Sequence, residues 1–350
     1  MQRSRCARPM ARAFAALVVV LPLLGALAPS RAAAAAPRRV TAWLPYWDQA
    51  RGYQSFLANA DLYSALSPFW YAMAPNGTVQ GYPGSGDKTI VAGIRAKGVR
   101  VLPTITNDFD PARVRTMLAT KTSQSRHVTA LVNLVKANGY DGLDVDYESL
   151  YASDRTRFSA FISRLATALH AAGKKLSVAV HPKTSEPGSW SGPQAQDYKA
   201  IGAAADTVRV MAYDYSWGTS AAGPVAPLNW VDDVARFAAG QIAPSKVELG
   251  MPLYGYDWVG SMGTGVTHEE VMARRTAYSA TSQWSSTAQS SWFSYVADGV
   301  THTVWYADAA SVAAALPVVD RYGLAGAAFW RLGGEDAATW AAVRARWSTP

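Results

Sequence analysis

The chain has 350 residues, 49% of them hydrophobic, one cysteine and a formal net charge of +8. That length and apolar content allow a large core, as one big domain or two modest ones. The lone cysteine excludes a disulfide framework and a thiolate metal site.

In chain order, residues 1–36 read as a secretory signal peptide. Arg3, Arg5, Arg8 and Arg12 precede an apolar run from about Ala13 to Ala28, and the small residues Ala32 to Ala36 follow. The run is short for a membrane span, and the small residues suit a cleavage zone. The competing expectation is an uncleaved anchor. Of the 33 basic residues, cleavage removes five arginines and no acid, leaving 28 against 25 acids, a net +3. The excess of positive charge therefore belongs largely to the leader, and no nucleic-acid-binding surface is indicated. Cys6 lies in the leader too, so the exported chain is expected to be held by its core alone.

From residue 37 to 350 a single catalytic domain is expected. Short β-rich runs at Val40–Leu44, Leu66–Trp70, Arg100–Thr106, Gly142–Tyr147, Leu176–Val180, Thr207–Met211, Val247–Leu253 and Gly326–Trp330 alternate with helical patterns. Eight such units predict an α/β fold, a (β/α)8 TIM barrel. One predicted helix carries Val128, Leu131, Val132 and Val135 and stops at Gly139. Another places Phe158, Phe161, Ile162, Leu165 and Leu169 on one face, between Ser153 and Gly173. About seventy residues separate the last two strands. Alternating stretches at Ser291–Val296 and Thr301–Tyr306 around Asp298-Gly299 predict a hairpin there, within a small α+β insertion at about 259–308. Aromatic residues gather at strand ends, among them Trp43, Tyr46 and Trp47, Trp70, Tyr213, Tyr254 and Tyr256, and Trp330. Such rings pack on the flat C–H faces of sugars.

Residues 141–148 read Asp-Gly-Leu-Asp-Val-Asp-Tyr-Glu. In a strand Asp144, Asp146 and Glu148 share one row, spaced by roughly 6.6–6.8 Å, while Leu143, Val145 and Tyr147 form the other. An acid row opposite an apolar row is costly unless the acids face a polar cavity. Carboxylates crowded in a restricted dielectric cannot all ionise, so one keeps its proton and becomes a general acid. Glu148, on the longest stem, reaches furthest toward a ligand.

This octapeptide resembles the Asp-Gly-x-Asp-x-Asp-x-Glu signature of family-18 glycoside hydrolases. Met211-Ala-Tyr-Asp214 is similar to that family's sixth-strand motif, and Gly326-Ala-Ala-Phe-Trp330 to its eighth-strand end. The resemblance covers about residues 40 to 346. The stretches Gly250–Trp258 and Val304–Asp308 are similar to the branch holding spore-cortex-lytic N-acetylglucosaminidases. The resemblance implies cleavage of β-linked N-acetylglucosamine chains by substrate-assisted catalysis. Glu148 is then the acid and base, Asp146 orients the acetamide, Asp144 supports Asp146, and Tyr213 bonds the acetamide oxygen. Trp330, Asp214, Trp43, Trp70 and Met211 are the expected substrate-binding residues. At the third strand the usual Ser-x-Gly-Gly is replaced by Pro103-Thr-Ile-Thr-Asn107, and no LysM repeat appears, so chitin and peptidoglycan both stay open as substrates.

Two other readings compete. One is a catalytically silent lectin on the same barrel, which an intact Glu148 disfavours. The other is a metal-dependent hydrolase. Only His181 of the five histidines follows a strand, so no metal and no cofactor is expected. The expected protein is a secreted monomer, without stable membrane association after signal cleavage, whose partner is a polysaccharide.

Overall fold

A computed structural model describes Gln2 and residues 38–347. Gln2 apart, the expected signal peptide lies outside the described residues. Eight parallel strands span Arg39–Pro45, Ala65–Met73, Thr104–Thr106, Gly142–Asp146, Lys175–Val180, Thr207–Val210, Val247–Pro252 and Gly326–Trp330. Each pairs with the next, and the first pairs with the eighth, Thr41 opposite Ala328, so the sheet closes as a (β/α)8 barrel. The strands are numbered first to eighth in this order.

Parallel strands bury both faces, and the alternation sorts their side chains into two compartments. Leu143, Val145 and Tyr147 point outward into an apolar shell, where the helix Arg155–Ala171 buries all five expected residues, Phe158, Phe161, Ile162, Leu165 and Leu169. Tyr147 lies 6.3 Å from Phe161 between ring centroids, and its hydroxyl meets His127 Nε2 at 2.6 Å. That helix starts two residues after Ser153, because Ala152–Asp154 form a 3-10 turn and Asp154 is taken by Arg115 and Arg157. The helix Lys121–Ala137 opens on a Thr120–Ser123 capping box, and Gly139 beyond its end has a φ of 65°.

The lumen is different. Barrels of this class are filled with bulky branched side chains, whereas here Thr41, Ser67, Thr104, Asp144, Ser177, Arg209 and Glu248 are all buried polar residues of the strands.

Between the seventh and eighth strands an antiparallel sheet is inserted, made of Gly255–Val259, Met262–Val266, Gln283–Ser285, Ser290–Ala297 and Val300–Tyr306. The helix His268–Ala277 packs on it around Val271, Phe293, Val304 and Tyr306. Asp298 and Gly299 carry φ of 51° and 75°, the paired left-handed conformation of a tight hairpin turn. The inserted sheet begins at Gly255, four residues before the expected position, because the seventh strand passes into it after only Leu253 and Tyr254.

The apolar shell therefore carries the stability. Phe161→Ala is expected to cost about 3–5 kcal/mol in denaturant unfolding. Val296→Ala, at a site 61% exposed, is expected to stay within about 0.5 kcal/mol.

Candidate active site

The fourth strand brings the acids to the C-terminal mouth. Gly142 permits this, since a Cβ there would lie 2.3 Å from the Lys175 carbonyl oxygen of the fifth strand. Asp141, at the other end, accepts from the Val101 N–H at 2.8 Å and ties the strand down. Asp144 is fully buried. Its Oδ2 accepts from Trp43 Nε1 and Thr104 Oγ1, each at 2.9 Å. Asp146 ends the strand with its carboxyl pushed up to about 8, first by burial and then by the Asp144 charge, against a downward pull from Arg209.

Glu148 lies past the strand end, held there by its backbone. Its N–H donates to Asn107 Oδ1 at 2.8 Å, and its carbonyl accepts from Asn107 Nδ2 at 2.9 Å. Ser149 follows with a φ of 54° and turns its N–H onto His181 Nε2 at 3.1 Å. That nitrogen is thus the acceptor, so the ring hydrogen sits on Nδ1, 3.6 Å from Glu148 Oε2. Burial pushes the His181 pKa down to about 4, so the ring is neutral near pH 7. The Glu148 carboxyl is held well above its ordinary value by burial first, then by Asp146 and Asp214. Desolvation, more than the crowding of acids expected from the sequence, keeps its proton.

These groups border a cavity of about 310 Å³ that Asp146, Glu148, Met211, Tyr213, Asp214 and Trp330 help to line. Trp330 stands at the eighth-strand end, edge-on to Trp43 at 5.8 Å and to Phe69 at 5.3 Å. The Tyr213 hydroxyl is held far above its usual range by burial and by the surrounding acids, so it stays a donor. Asp214 adopts a φ of 56°, and its Oδ1 accepts from Tyr254 at 2.5 Å and Tyr256 at 3.1 Å. Burial raises its pKa, and the two tyrosines oppose the rise.

The structure thus gathers Glu148, Asp146, Asp144, Tyr213, Trp330, Asp214, Trp43 and Met211. It does not bring Trp70 to the cavity. The second strand shifts register between Phe69 and Tyr71, and Trp70 points outward, bonded to Gln49 and packed near Tyr140. Phe69 lines the cavity in its place. Asn107, His181 and Phe69 join the site without belonging to any motif in the sequence. Only the position of each at or near a strand's C-terminal end marks them.

Two further cavities flank the first. One, of about 350 Å³, extends past Glu148 and His181 between the exposed rings of Phe109, Trp190 and Trp217. The other, of about 650 Å³, runs from Trp330 toward the insertion past Arg51, Glu270 and Arg331.

A closed parallel barrel with buried acids above a polar lumen and an aromatic floor at its C-terminal mouth defines a barrel glycosidase. The model of glycosyl hydrolases family 18 matches residues 42–335, and the chain belongs to that family of hydrolases. It is 33% identical over 279 residues to the sporulation-specific glycosylase YdhD of Bacillus subtilis (strain 168), covering 77% of this chain and 66% of that protein. It is 29% identical over 280 residues to the cortical fragment-lytic enzyme of the same organism, covering 77% of this chain and 64% of the relative. The chain thus spans slightly under two thirds of each. A chitinase from Chromobacterium violaceum ATCC 12472 superposes with a TM-score of 0.83 at 29% identity, covering 89% of this chain and all of that one, 100%.

A carboxyl that holds its proton to about pH 8 when folded, against 3.8 for the ordinary aspartate, binds one more proton in the native state between those values. Stability from this group therefore falls as pH rises through that window. Asp146→Asn is expected to stabilise the fold, and by more at pH 7 than at pH 4.5, in chemical denaturation at the two pH values.

Proposed function

We propose that the protein is a secreted glycosidase that cleaves β-1,4 linkages after N-acetylglucosamine in chitin-type or peptidoglycan glycan strands, with retention through substrate-assisted catalysis. The observation that carries this reading is Glu148, 13% exposed at the cavity edge with its carboxyl held above the ordinary value, with Asp146 and Tyr213 beside it and Trp330 across from it. The family membership and the chitinase and cortex-lytic relatives support it.

Glu148 gives its proton to the departing glycosidic oxygen. The acetamide carbonyl oxygen of the substrate attacks the anomeric carbon as that bond breaks, forming an oxazolinium ring. Asp146 accepts the acetamide N–H, and the negative charge of the Asp144–Asp146 pair offsets the positive ring. The Tyr213 hydroxyl orients the acetamide oxygen. Glu148, now a carboxylate facing the neutral N–H of His181, takes a proton from water. That water attacks the anomeric carbon from the side the leaving group left, so the product keeps its β configuration. Trp330 and Asp214 hold the same sugar, with Met211 and Trp43 filling the walls.

The cavities on both sides of Glu148 give a chain room to continue in either direction, which supports cutting at internal bonds. The leader at 1–36 supports export and signal removal, and the mature chain is read as a monomer acting in the cell-wall or extracellular space.

The wild-type protein is expected to release products from N-acetylglucosamine oligomers or purified peptidoglycan, read side by side by mass spectrometry, with the β anomer first in the proton NMR spectrum. Glu148→Gln is expected to lower the rate roughly 10²–10⁴-fold. A glutamine variant as fast as the parent, or a first-formed α anomer, overturns the mechanism. N-terminal sequencing of exported protein is expected to place the mature start near residue 37.

A further inference from the structure

The lumen beneath the acids holds a guanidinium that takes no part in the bond and proton changes of the hydrolysis. Arg209, on the sixth strand, is 1% exposed. Its Nη1 lies 3.2 Å from Asp144 Oδ1 and donates to Ser67 Oγ at 2.7 Å. Its Nε donates to Glu248 Oε2 at 3.2 Å, and its carbon lies 5.0 Å from the Trp43 ring. Glu248, on the seventh strand, is as deeply buried, accepts from Thr41 Oγ1 at 2.7 Å and has Arg39 Nη1 at 3.9 Å. Arg209 therefore spans the lumen, touching strands one, two, four and seven. A buried charge is costly unless paired, and this one has both its acids at contact distance.

Trp43 and Thr104 donate to one oxygen of Asp144. The other is buried without a hydrogen-bond partner, and Arg209 Nη1 lies 3.2 Å from it. The other titratable neighbours of Asp144 are Asp146 and, more weakly, Tyr213, and Asp146 in turn faces Glu148. Two adjacent acids in a low dielectric do not both ionise, so the one without the guanidinium takes the proton. We propose that Arg209 is a positioning residue for the hydrolysis. From beneath, it holds Asp144 as a carboxylate, so that the Asp144–Asp146 pair keeps one negative charge and one proton, the proton on Asp146. The raised carboxyl of Asp146 agrees with this placement. This inference rests on the hydrolytic reading of the site, because the charge it preserves is the one that offsets the oxazolinium ring.

The test is the pH dependence of kcat/KM on an N-acetylglucosamine oligomer, with a ¹³C-carboxyl aspartate NMR titration of the same proteins. A positive charge beside the pair lowers the pH at which it first ionises, and the acidic limb reports that step. In the charge-balanced double variant Arg209→Gln/Glu248→Gln the acidic limb is expected to move up by about one pH unit or more. Glu248→Gln alone strips Arg209 of its other acid, strengthens its hold on Asp144 and is expected to move the limb down. Arg39→Gln, near Glu248 but not in contact with Asp144, is expected to leave it in place.

A limb that stays put in the folded double variant overturns the proposal. If that variant does not fold, a limb that rises or stays put in Glu248→Gln does the same. If the wild type cleaves no glycan, the hydrolytic reading fails by itself. The NMR titration then still decides, and an unchanged first ionisation of the pair in these variants overturns the role of Arg209.

Discussion

Desolvation of a row of carboxylates is the constraint on which the catalytic mouth is built. Taking Asp144, Asp146 and Glu148 out of water is unfavourable, and each acid meets that cost differently. Asp144 is paired and hydrogen-bonded, Asp146 is raised to about 8, and Glu148 keeps its proton because burial disfavours its anion. The fourth strand and the residues just after it thus present three acids in three electrostatic situations, graded from the lumen outward to the cavity.

The gradient requires a polar lumen below and fixed partners above. Thr41, Ser67, Thr104 and Arg209 replace the hydrocarbon that usually fills a barrel, so cohesion shifts to the shell where the strands meet the helices. Above, Asn107 grips the Glu148 backbone through both its N–H and its carbonyl. The insertion reaches back to the same mouth, where Tyr254 at its base and Tyr256 on its first strand donate to Asp214. The seventh strand's early departure into the inserted sheet is what puts both hydroxyls within reach.

Much of this was legible in the chain because alternation along a strand is a local property. The fourth strand's two rows, the Phe158 to Leu169 face and the Asp298-Gly299 turn follow from spacing alone. Contacts made across the barrel are not local. Arg209 reads as one basic residue in an ordinary run, Thr207-Val-Arg-Val210, and only closure sets it against Asp144 and Glu248. His181 reads as a lone histidine after a strand, and only the left-handed turn at Ser149 puts a backbone N–H on its ring. Trp70 shows that an aromatic near a strand end is not enough, because Ser67 and Phe69 share the lumen face of the second strand and parity puts Trp70 in the shell, leaving the cavity wall to Phe69.

The separation of lumen from shell divides labour between adjacent residues. Asp146 sets the electrostatics of the mouth, while Tyr147 packs the wall against its helices. Substitutions on the even-numbered row of the fourth strand can retune proton affinities while the odd-numbered row goes on locking the wall to its helices. A barrel arranged this way can drift in chemistry without first loosening its frame.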